Sequence, residues 1–176
     1  MEHVNPQEPY FVVTHSLGGI LIREALAKKQ IPYPQHCFLL APPNHGSPIP
    51  SFLGKYKTFR KWLGPSFCQL ADVDLFPLCN YAATLGNIPA ATTTIIGNKN
   101  LDFYFAPLFD GQNDGKVSLK SAQGIGEKEC ITGPWAHMNI MREPLVLEYI
   151  HRIIVAEIKS KHDSFGMLKP HFTDST

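Results

Sequence analysis

Three residues, Ser16, Asp114 and His137, stand far apart in the chain but have the types that nucleophilic catalysis needs. A serine hydroxyl is a weak nucleophile until a base takes its proton, and an imidazole base is held ready by an acid on its other nitrogen. Ser16 sits where the apolar run YFVVT (10–14) gives way to HSLGG (15–19). A serine on a sharp strand-to-helix turn exposes its hydroxyl, and such a turn demands small residues two before and two after it. Gly18 meets that demand, whereas Thr14 is larger than the turn normally takes. The N-terminus of the helix that follows also favours negative charge near Ser16. A plain helix N-cap is the competing reading, because serine is a preferred capping residue.

Asp114 lies in the turn GQNDGKV (111–117) and His137 at the end of GPWAH (133–137), each in a loop after a strand-like run. Asp110 and Asp102 compete with Asp114 as the acid. His15 adjoins Ser16, but neighbours on a strand point to opposite faces, so it reads as structural. His45 reads as a surface-loop histidine. Phe59, Trp62, Leu63 and Phe67 suit either an acyl pocket or ordinary packing under a loop.

The elements that would position these residues alternate. Strands are expected at 10–14, 36–41, 92–97 and 128–132. Leu17, Leu21 and Ala25 recur at +4 over 17–29, and Leu147, Ile150, Ile154 and Ile158 form a stripe over 143–159; both predict helices. The segment 98–116 reads as a long loop, 117–123 as a short helix, and 51–89 as a cap-like insertion with one or two short helices. The tail 159–176 is polar and expected to fray. Strands joined through helices imply a parallel sheet, and continuous apolar strands fit one covered on both faces.

The 176 residues suit one domain, and a net charge of +1 without a basic block gives nucleic acid no footprint. No apolar run approaches the ~20 residues of a membrane helix, and the polar start MEHVNPQEP does not read as a leader; a cytoplasmic location is the default expectation. The cysteines at 37, 68, 79 and 130 have no metal spacing, and Cys37 and Cys130 read as small buried thiols. No metal or cofactor is expected.

In the order THSLGG, LLAPPNHGS, NDGKVSLKSA and AHMNIMREP, the chain resembles the lipase-like and esterase-like members of the α/β-hydrolase superfamily from about Tyr10 to Ile158. The triad order in that superfamily is Ser, then Asp or Glu, then His. The resemblance implies the C-terminal half of the fold, with Ser16 as nucleophile, Asp114 as acid, His137 as base and the APP segment beside the site. It also implies an ester or lipid-like substrate. Such enzymes carry strands before the elbow strand, and a loop there gives the second oxyanion donor. Nine residues precede Tyr10, so the Leu17 N–H is the one donor expected from this chain. The elbow strand is therefore expected to present an open edge that a second copy or a partner chain would cover, and the chain reads as N-terminally truncated. An impaired hydrolase-like domain and an acyltransferase are the alternative readings.

Overall fold

The computed structural model describes residues 8–53, 55–58, 61, 70 and 81–166. Four strands, β1 (Phe11–His15), β2 (His36–Leu40), β3 (Thr92–Gly97) and β4 (Glu129–Gly133), form one sheet in the order β1-β2-β3-β4. Every pair is parallel. The spatial order equals the chain order, so each crossover returns the chain one strand further along, and all four carboxyl ends share one edge. Among the described residues the α-helices are α1 (Leu17–Ala27), α2 (Pro48–Leu53), α3 (Tyr81–Thr84), α4 (Leu119–Ala122) and α5 (Pro144–Gly166).

β2 shows why the sheet has two cores. Successive side chains point to opposite faces. Cys37 and Leu39 pack with Leu26 of α1, Ile88 and Ile125. Phe38 and Leu40 pack with Ile95, Ile140, and Val146 and Ile150 of α5. All five β2 residues are buried, as a strand covered on both faces must be. Cys37 is buried, which pushes its thiol up to about 12, whereas Cys130, expected to be buried, is only partly so, and burial raises its thiol as well. β1 is less covered: Val13 is 51% exposed, and among the described residues β1 pairs with β2 alone.

The α1 stripe needs correcting by a rotation, and the α5 stripe holds at Ile150 and Ile154 but not at its other two positions. In α1 the buried residues are Gly19, Ile20, Arg23 and Leu26, and Leu21 is 58% exposed. A polar residue in the buried row hid it. In α5 the inner row runs through Val146, Ile150, Ile153 and Ile154, while Leu147 and Ile158 are exposed. One residue of register turns a helix by about 100°, so the Val146 row faces the sheet and the Leu147 position does not. α5 also continues to Gly166, past the expected end at Lys159. Within 98–116, residues Phe103–Leu108 form a 3₁₀ turn rather than plain loop. Phe59, Trp62, Leu63 and Phe67, with most of the 51–89 insertion, lie outside the described residues.

Candidate active site

β1 delivers Ser16 to the carboxyl edge of the sheet. Its N–H donates to Leu40 O at 2.8 Å, one step beyond the β1–β2 register. Its φ of 51° lies in the left-handed region that side-chain-bearing residues avoid. The hydroxyl makes no capping bond to α1, so the N-cap reading does not hold. It lies 3.0 Å from His137 Nε2 instead. The two glycines make the turn sterically possible. A Cβ on Gly18 would stand 3.2 Å from Thr14 Cβ, and one on Gly19 would stand 2.8 Å from Pro42 Cβ. Gly18 thus supplies the room that Thr14 takes up, which is how the turn accepts a threonine at its leading position.

Asp114 is fixed by its own turn. Its Oδ1 accepts the N–H groups of Lys116 at 3.0 Å and Val117 at 2.8 Å. Its Oδ2 lies 2.8 Å from His137 Nδ1, and the Asp114 side chain is fully buried. Asn113 Oδ1 accepts from Asn100 Nδ2 and from Gly115 N, closing the turn on both sides. The rival acids are elsewhere. Asp102 accepts from Lys116 Nζ at 2.8 Å, and Asp110 is exposed.

His137 arrives on a loop pressed onto the ends of β3 and β4. A Cβ on Gly97 would lie 1.8 Å from Trp135 O, so this approach needs glycine. The His137 N–H donates to Asp114 O at 3.0 Å. Because the carboxylate can only accept, Nδ1 carries the proton and Nε2 is left to accept from the Ser16 hydroxyl. Leu17 opens α1, so its N–H has no acceptor within the helix.

Ser16 and His137 face a pocket of about 210 Å³, walled by Pro43, Ile49, Pro50, Leu70 and Val117, with Ser47 and Lys116. The APP segment thereby borders the site, through Pro43. A larger cleft of about 730 Å³ is lined by His45, Lys120 and Glu127 among others and includes none of Ser16, Asp114 and His137. His45 donates there to Gln123 O at 2.8 Å, as a loop-pinning residue. Among the described residues, no three His, Cys, Asp or Glu side chains are grouped to hold a metal ion, and no helix is long and apolar enough to cross a membrane.

Sequence reasoning missed what supports this edge. Arg23 is 2% exposed and donates to Asn44 O at 3.0 Å, Asn44 Oδ1 at 3.2 Å and Gly86 O at 2.8 Å. Burial lowers its pKa to about 10. Asn44 Nδ2 in turn donates to Ala122 O at 2.6 Å, so α1, the loop after β2 and α4 are tied behind the site. No motif announces an arginine inside an apolar face.

The fold is the α/β fold of lipases and esterases. The mature form of the Bacillus licheniformis lipase BlEst2 superposes with a TM-score of 0.63 at 22% identity, covering 83% of this chain and 65% of that one. The metagenomic carboxyl esterase MGS0156 superposes with a TM-score of 0.59 at 14% identity, covering 82% of this chain and 51% of that one. The chain therefore spans between half and two thirds of these enzymes. No known family profile matches the sequence, and no match is found among curated proteins.

Proposed function

We propose that the chain carries the acyl-transfer site of a serine ester hydrolase. The observation that carries this reading is the relay in which His137 stands 3.0 Å from the Ser16 hydroxyl on one side and 2.8 Å from the Asp114 carboxylate on the other, at the mouth of an apolar pocket. Ser16 Oγ attacks the ester carbonyl carbon while its proton passes to His137 Nε2. The tetrahedral oxyanion forms beside the N-terminus of α1, where the Leu17 N–H donates to it. His137 then gives the proton to the departing alcohol oxygen, and the C–O bond breaks to leave an acyl-Ser16. Water, losing a proton to His137, attacks that acyl group and releases the acid. Asp114 stays ionised and stabilises the imidazolium in both halves. An alcohol in place of water would give transfer to a second ester by the same steps. A cap role for the insertion at 51–89 is supported by Leu70, which walls the pocket beside Ile49 and Pro50 of α2.

A second reading is favoured by two observations: Leu17 is the one oxyanion donor identified among the described residues, and β1 is paired on one side there. It is a weakly active domain whose open strand is covered by a second copy or a partner chain. A fluorophosphonate label and p-nitrophenyl ester hydrolysis separate the two. Labelling and turnover that vanish in Ser16→Ala support the enzyme. Equal signals in the parent and Ser16→Ala overturn it.

A further inference from the structure

The mechanism above makes no use of His15, the residue immediately before the nucleophile. Its Nε2 lies 2.9 Å from the backbone oxygen of His137, and the two rings stand 4.8 Å apart between centroids, tilted by 50°. A carbonyl oxygen only accepts, so His15 Nε2 carries the hydrogen and donates it. His137 is thus held at four points. Asp114 takes its N–H at 3.0 Å and its Nδ1–H at 2.8 Å. Ser16 donates to its Nε2 at 3.0 Å, and His15 donates to its carbonyl at 2.9 Å. The last residue of β1 and the turn residue after it therefore grip one residue 122 and 121 positions away.

These grips do not survive the reaction equally. Once Ser16 is acylated its oxygen has no hydrogen to donate, and the Ser16–His137 bond is gone. The base must then stay in place to accept a proton from water with Asp114 and the strand's other grip alone.

We propose that His15 is a positioning residue that holds the base loop to β1 while Ser16 is acylated, so that its contribution falls on deacylation more than on acylation. This rests on the reading of Ser16, His137 and Asp114 as a hydrolytic site. The imidazole suits the task in its uncharged form, which its surroundings favour. Burial, and then the neighbouring His137, lower its pKa, with the bond to the His137 carbonyl and then the Asp114 carboxylate opposing in part. A charged His15 would resist the imidazolium that forms on His137; a neutral one donates its bond without that cost.

The test compares His15→Phe, which keeps a ring without a donor, with His15→Gln, whose amide N–H reaches a similar position. Burst kinetics on a p-nitrophenyl ester separate the two half-reactions. In His15→Phe, deacylation should slow about tenfold while acylation slows by less than about threefold, as expected when a base is loosened rather than removed. Steady-state kcat and KM then fall together, and His15→Gln restores both. Equal slowing of the two steps, or a His15→Phe enzyme that deacylates at the parent rate, overturns the proposal. A readout independent of turnover uses the Ser16→Ala background, where the serine grip is already missing. There the His137 Nδ1–H proton should be seen by NMR with His15 or Gln at position 15 and be lost to exchange with Phe. If it is equally protected in all three, His15 holds nothing. If the parent shows no Ser16-dependent turnover, the hydrolase reading fails, and the NMR comparison still decides the positioning role.

Discussion

The elbow that carries Ser16 and the loops that carry Asp114 and His137 are built by opposite means. The elbow is fixed by atoms that are missing: without a Cβ at positions 18 and 19, Thr14 and Pro42 close in and hold Ser16 at a φ of 51°. The loops are fixed by bonds that are present and shared. Asp114 accepts two backbone N–H groups besides the His137 ring, and Asn113 and Asn100 brace the same turn. A steric device fails when one atom is added. A bonded one loses strength in steps, because each partner holds several others.

The largest expected effect removes the one atom that both regions serve. Ser16→Ala should lower turnover by roughly 10⁴–10⁶ with an unchanged unfolding midpoint, measured by ester hydrolysis and urea titration. Asp114→Asn should cost about 10⁴ in kcat with the fold intact. The amide oxygen can still accept from Lys116 and Val117, but its NH₂ then faces Nδ1. The ring answers by shifting its hydrogen to Nε2, which can no longer accept from Ser16. Asp102→Asn marks the contrast: its pair with Lys116 is more than a third exposed, so stability should change by less than about 1 kcal/mol and kcat hardly at all. A large loss of kcat in Asp102→Asn, with Asp114→Asn near parent, would exchange their roles.

The elbow's steric character was legible in the sequence because it needs glycines at a fixed spacing, and a fixed spacing can be read from one chain. So was the order of strands and helices, since continuous apolar runs and +3/+4 recurrences are local patterns. The acid of the proposed triad was less legible. Asp102, Asp110 and Asp114 lie within one stretch, and what separates them is which carboxylate its own turn buries. Arg23 and Asn44 left no trace, because their role depends on carbonyls that come together only in the folded chain. The α1 stripe was misplaced because a buried arginine hides the face without changing the period, and the α5 stripe was right at Ile150 and Ile154 and off at Leu147 and Ile158.

Gly19→Ala adds the missing atom. With its Cβ 2.8 Å from Pro42 Cβ, the strain should cost about 1–3 kcal/mol, seen as a lower urea midpoint with an unchanged slope. An unchanged midpoint would mean that the loop after β2 yields easily and that the elbow is not sterically set. The smallest expected effect is a pH dependence. The pKa of His15 is lowered in the folded state from its usual 6.5, so the unfolded chain binds the proton more readily. Its stabilising contribution is complete above about pH 6.5 and declines as the pH falls through the folded value. Unfolding free energies at pH 8 and pH 5 should therefore differ more for the parent than for His15→Gln. A wider gap in the variant would reverse the sign argued for this residue.

The 121 residues that separate Ser16 from His137 also set a clock. A ribosome adds about 5–20 residues per second, so Ser16 is made some 6–24 s before His137. During that interval Ser16 lacks the ring that lies 3.0 Å from it in the fold, and on the proposed mechanism a chain halted before residue 137 would not turn over ester. On the proposed mechanism, completion of the fold, when β4 joins β3 and the loop beyond it closes over the sheet, would be the switch that arms Ser16.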